Sequence, residues 1–102
     1  MKITQHKTDG VRIDFKNGLV LSTIWGYCTY SDNHDIKTSE DYGFGRNENG
    51  SSTVEFMFID GDEKLIEKLC KKYGDGENPS AYIPVHKWIE MIAYINKLQN
   101  IK

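Results

Sequence analysis

Apolar and polar positions alternate over residues 11–16, break at Asn17-Gly18, and resume as an apolar-rich run over 19–25. Asn-Gly between two such runs favours the type I′ turn of a two-residue β-hairpin, since both residues accept positive φ. That turn pairs Lys16 with Leu19, Phe15 with Val20, Ile13 with Ser22 and Val11 with Ile24, which gathers Val11, Ile13, Phe15, Val20 and Ile24 on one face. The second strand also carries Leu19, Leu21 and Trp25, whereas the first has Arg12, Asp14 and Lys16 on its other side, so the second strand is expected to be central. A third strand is predicted over 52–59, where Val54, Phe56 and Phe58 alternate with Glu55, Met57 and Ile59 and both faces read as largely covered. Residues 2–7 fit either a short edge strand or a loop before Asp9-Gly10.

The period then changes from two to 3.6. Asp62 is placed to cap a helix over 63–73, with acidic residues in its first turn, lysines in its last and Gly74 as its stop. Its inward stripe is predicted to be Leu65, Ile66, Leu69, Cys70 and Tyr73. A turn-rich stretch over 74–79 follows. A second helix is predicted to start near Pro84, whose fixed φ suits a first helical position, and to run to about Gln99. Val85, Trp88, Ile89, Met91, Ile92, Ile95 and Leu98 give it a broad apolar face. These elements predict a single α+β domain over 1–102: a small antiparallel β-sheet, made of the N-terminal hairpin plus a third strand, packed with two C-terminal helices.

Composition narrows the function classes. A chain of 102 residues has the length of one domain. Its 13 Lys and Arg against 15 Asp and Glu leave a formal charge of -2, too little positive charge to release counterions from duplex DNA. No run of 18 apolar residues suggests a membrane span, and the first six residues lack the apolar run of a signal peptide, so a cytoplasmic location is expected. Cys28 and Cys70 show no CxxC or Cys/His spacing and are read as reduced thiols; neither a metal nor a cofactor is expected.

Residues 27–51 form a long stretch rich in Asp, Asn, Ser, Thr, Gly and Tyr with no helical period, and loops of that length in small domains are often functional. Trp25, Tyr27, Tyr30, Asp32 and Asn33 combine aromatic faces with short polar groups, a mixture suited to a planar polar ligand. Arg46 can meet a phosphate or carboxylate, and Tyr82, before the second helix, can line an anion site or pack on the sheet. The alternative is that Trp25 and Tyr27 belong to the core and the rest is a solvated turn. Tyr42-Gly43-Phe44-Gly45-Arg46 neither follows a strand closely nor opens a helix, which excludes a dinucleotide fingerprint and leaves a plain loop or a binding lip. Cys28 has no base at recognisable spacing, with His34 six residues away, so no catalytic residue is assigned and the protein is not expected to be an enzyme. Asp60-Gly61-Asp62-Glu63 and Asp75-Gly76-Glu77 lack calcium-loop spacing and fit turns and helix caps. His86 reads as a surface residue or a ligand contact.

Asn17-Gly18 and Leu21-Ser22-Thr23-Ile24-Trp25-Gly26 of the hairpin, the Tyr30-Ser31-Asp32-Asn33 turn, the Thr53-Val54-Glu55-Phe56 strand and Tyr82-Ile83-Pro84 before the final helix together resemble short bacteriophage and prophage proteins. The resemblance implies a binding protein acting in the host cell, either sequestering a nucleotide-like immune signal or blocking a host protein as an inhibitor or adaptor. Apolar surface on Leu21, Trp25 and the last helix further suggests a homo-oligomer.

Overall fold

A computed structural model describes residues 1–5, 10–25 and 51–100 of the chain. Five strands, β1 (Lys2–Gln5), β2 (Gly10–Asp14), β3 (Val20–Ile24), β4 (Thr53–Asp60) and β5 (Ser80–Pro84), and two helices, α1 (Glu63–Tyr73) and α2 (Val85–Asn100), appear in the order β1 β2 β3 β4 α1 β5 α2. The strands form one antiparallel sheet in sequence order, so β3 is central and β1 and β5 are the edges. The α+β class and the central position of β3 agree with the sequence pattern; β1 is the short edge strand that residues 2–7 allowed, and β5 is a further strand at the other edge.

The hairpin register differs from the expected one by a single residue. Phe15 N–H donates to Leu19 O at 2.9 Å and Gly18 N–H to Phe15 O at 3.2 Å, which closes a three-residue loop, and Gly18 takes the left-handed φ of +92° that such a loop needs. Ile13 therefore pairs with Leu21 and Val11 with Thr23. Because side chains alternate, the slip turns β3 over: Leu19, Leu21 and Thr23 are buried, and Val20 and Ile24 lie on the other face. The reason is visible in what each register would bury. The expected one puts Val20, Ser22 and Ile24 inward; the observed one buries two leucines and a threonine whose hydroxyl has a partner. Leu21 is fully buried within its own chain, so it offers no surface to a neighbouring subunit.

Ile13, Phe15, Leu19, Leu21, Val54, Phe56, Phe58 and Ile83 join Leu69, Cys70 and Tyr73 of α1 and Met91 and Ile95 of α2 in one core. β4 is covered on one face only, since Met57 and Ile59 are exposed. Ile59 is the extra residue of a bulge, where pairing steps from Leu21–Phe58 to Val20–Asp60. Asp62 caps α1 as predicted, its Oδ2 accepting from Leu65 N–H at 2.9 Å, and Gly74 N–H closes the helix on Cys70 O at 3.0 Å. Pro84 ends β5 and does not open α2, which starts one residue later at Val85. On α2, Ile89 faces outward and the inward stripe narrows to Met91, Ile95 and their half-buried neighbours.

Candidate functional site

A side-chain hydrogen bond ties α2 to the sheet near the end of β3. Thr23 Oγ1, fully buried, accepts from Trp88 Nε1–H at 2.8 Å, a bond worth about 1 kcal/mol net. Two residues on, Trp25 is half-buried against the core, so its indole starts from a fixed base. β4 begins at the same end. Ser51 Oγ donates to Thr53 O at 2.7 Å, and Val85 N–H donates to Ser52 O at 3.1 Å, fastening the chain entering β4 to the first residue of α2. Ile24 pairs with Glu55 and Val54 with Ile83, so Trp25, Val54 and Ile83 fall in one row across neighbouring strands. Tyr82, next to Ile83 in the chain, therefore lies on the second strand over from Trp25, at the same end of the sheet.

Tyr82 has an unusual backbone. It adopts φ +55° and is 46% exposed. Val54 pairs with Ile83 while Phe56 pairs with Ser80, so Ala81 and Tyr82 together oppose Glu55 in a bulge. Both flanks of the bulge are held, because Ser80 and Ile83 are buried. Ser80 Oγ accepts from Asp75 N–H at 3.3 Å and donates to Glu77 O. Asp75 accepts from Ala81 N–H at 3.0 Å and from Glu77 N–H at 2.9 Å. Partial burial pushes the Asp75 carboxyl up, but these N–H donors and Ser80 outweigh it and hold the group below the ordinary carboxylate range.

Of the residues singled out by sequence, Trp25 and Tyr82 are thus at one end of the sheet. Tyr27, Cys28, Tyr30, Asp32, Asn33, His34, Tyr42, Phe44 and Arg46 lie outside the described residues. His86 is an exposed residue in the first turn of α2. The Asp60–Glu63 and Asp75–Glu77 acids have the turn and cap roles read from their spacing: Asp60 Oδ1 accepts from Gly61 N–H at 2.8 Å, Asp62 caps α1 and Asp75 organises the turn before β5. Among the described residues no three His, Cys, Asp or Glu side chains are grouped to hold a metal, and no helix is long and apolar enough to cross a membrane.

A separate cleft of about 430 Å³ opens between the end of β4, α1 and the 76–78 turn, lined by Ile59, Asp60, Glu63, Ile66, Cys70 and Asn78 among others. Its groups do structural work. The Asn78 carboxamide accepts from Phe58 N–H at 2.8 Å and donates to Phe58 O at 3.0 Å, imitating a strand residue beside β4. Cys70 is a free, buried thiol; burial pushes its pKa up against a hydrogen bond with Ser80, so it stays protonated and poorly nucleophilic at neutral pH. Sequence reading passed over Asn78 because an asparagine in a turn-rich stretch gives no sign that its side chain replaces a backbone partner.

The fold defines a small α+β protein built on an antiparallel five-stranded meander. Comparison with protein-family models, curated proteins and solved structures gives no match, so the functional reading rests on these residues alone.

Proposed function

We propose that this chain is a non-enzymatic binding protein that sequesters a small nucleotide-like ligand. The residues assigned to it are Trp25, Tyr27, Tyr30, Asp32, Asn33, Arg46 and Tyr82. The observation that carries the reading is a convergence: Trp25 and Ser51, the residues on either side of the polar-aromatic stretch, and the exposed Tyr82 all belong to one end of the sheet. Aromatic faces and short polar groups, both present in this part of the sequence, suit a flat base with a polar edge. In a phage or prophage setting the protein works in the host cytoplasm as a homo-oligomer and withholds an immune signal. Native mass spectrometry of protein purified from cells tests this. An oligomer carrying an added mass of nucleotide size supports the proposal; a bare monomer that takes up no nucleotide overturns it.

A second reading, an inhibitor or adaptor that grips a host protein, draws on a different observation. Met57 and Ile59 on β4 are about half exposed, and apolar side chains of this kind anchor protein interfaces. A single stoichiometric protein partner recovered from host lysate by a ligand-free monomer selects this reading over the first.

A further inference from the structure

We infer that the cleft between the end of β4, α1 and the 76–78 turn is a separate binding site, one that takes a linear aliphatic polyamine; it does not depend on the nucleotide reading above. The cleft measures about 430 Å³, within the size range of small-molecule sites. Among the described residues its lining carries three carboxylates, Asp60, Glu63 and Glu67, and no lysine, arginine or histidine. Asp60 engages Gly61 N–H through Oδ1 alone, and Glu63 has no partner among the described residues.

Acidity by itself would describe a solvated surface, but two independent features give this one the form of a ligand site. Ile59 is the extra residue of the β4 bulge, and it lines the cleft while 53% exposed; Ile66 of α1 lines it as well. An apolar wall kept in solvent beside carboxylates suits a ligand that has both methylenes and positive charges. The acids, moreover, do not converge, since among the described residues no three such groups could hold one metal ion. Asp60 ends β4, whereas Glu63 and Glu67 stand about one turn apart on α1. Charges spread around a cleft match ammonium groups spread along a chain, and the methylenes between those groups match Ile59 and Ile66. The walls are set beforehand: two hydrogen bonds fasten Asn78 to Phe58, and the Asp62 cap fixes where α1 begins. Glu67 bonds Lys71 at 3.0 Å, but both side chains are about two-thirds exposed, and such a pair is readily exchanged for one with a ligand.

The test is isothermal titration of the full chain with spermidine at low salt. It uses wild type, Glu63→Gln, the double variant Glu63→Gln/Glu67→Gln, Ile59→Ser and, as an equal charge change outside the cleft, Glu90→Gln. All four positions are exposed, so every variant is expected to melt near the wild-type temperature, which is checked first. Wild type binds one spermidine. Glu63→Gln weakens binding about threefold and the double variant roughly tenfold, the small factors expected of partly exposed ion pairs. Ile59→Ser weakens it by about threefold through lost apolar contact, and Glu90→Gln leaves it unchanged. Magnesium chloride at the same ionic strength gives no saturable heat. Folded wild type that does not bind spermidine overturns the site. So does binding that Glu90→Gln weakens as much as Glu63→Gln, or that magnesium reproduces, because either result describes a diffuse counterion effect. None of these outcomes alters the nucleotide reading.

Discussion

Replacing Asn78 with alanine tests whether a side chain completes the sheet where the backbone does not. The carboxamide is bonded to both Phe58 N–H and Phe58 C=O, and Phe58 is 3% exposed, so Asn78→Ala leaves two main-chain groups without partners. Two sealed orphans would cost roughly 2–6 kcal/mol, whereas two ordinary bonds contribute about 2 kcal/mol net. Asn78 is exposed and lines the cleft beside β4, so water reaches the vacated groups and the lower figure applies. With an unfolding entropy near 2.1 cal/mol/K per residue, a chain of this size has about 0.2 kcal/mol/K, and the expected fall in Tm is about 10 °C. Asn78→Asp sharpens the test. At pH 7 a carboxylate still accepts from Phe58 N–H but turns its second oxygen on the Phe58 carbonyl, so it should destabilise at least as much as alanine. The neutral acid can donate to that carbonyl, which raises the folded-state pKa of the new group. Its contribution is therefore complete below the unfolded carboxylate pKa and lost as pH rises through the folded value. Melting curves at pH 7 and pH 4, each read against wild type at the same pH, should show the Asp variant regaining stability at the lower pH. An Asn78→Ala protein that melts within ~2 °C of wild type would refute the assignment, since two lost bonds cannot produce so small a shift.

The bond between Trp88 and Thr23 predicts coupling between α2 and β3. In a cycle of Thr23→Val and Trp88→Phe measured by urea unfolding, the pair should couple by about 1 kcal/mol, with Thr23→Val alone costing roughly 1–3 kcal/mol because it strands the indole N–H; additive effects would exclude the bond. Asp75, with its pKa held low by the N–H donors of the turn, contributes stability that is present above the unfolded carboxylate pKa and lost as pH falls through the folded value. Plotted against pH, the urea midpoint of wild type should fall more steeply on the acid side than that of Asp75→Asn, and parallel curves would count against this role.

Much of the fold was legible because several local signals agreed. For α1, the apolar stripe, the Asp62 cap and the Gly74 stop all point to the same eleven residues, and the helix has those bounds. The central position of β3 followed from its apolar content. The hairpin register did not, because Asn17-Gly18 suits a two-residue turn as well as a three-residue loop with Gly18 left-handed, and the choice lies in the core. Leu19 and Leu21 settle it by being buried, with Thr23 given a partner 65 residues away in the chain. β5 was hidden for a related reason. Pro84 carries the same fixed φ at the end of an edge strand as at the start of a helix, and Asn78 and Asp75 supply hydrogen bonds around β5 that a strand pattern does not encode.

The candidate site was legible as chemistry and not as geometry. Aromatic and polar residues can be read from the chain, but the left-handed backbone at Tyr82 cannot. Among the described residues, positive φ occurs at Gly18, Gly61, Gly76 and Tyr82. At Gly61 the need is steric as well as torsional, since a Cβ there would strike Leu19. Three of these four described positions are glycine, and the fourth carries a large ring. The strain at a bulky left-handed residue, of order 1–3 kcal/mol, is comparable with what partial burial of one ring returns. Conflicts between local preference and global structure gather at functional positions, because there the side chain is needed for something outside the fold. The melting temperature of Tyr82→Asn against wild type measures how far the ring's contacts within the chain offset that strain.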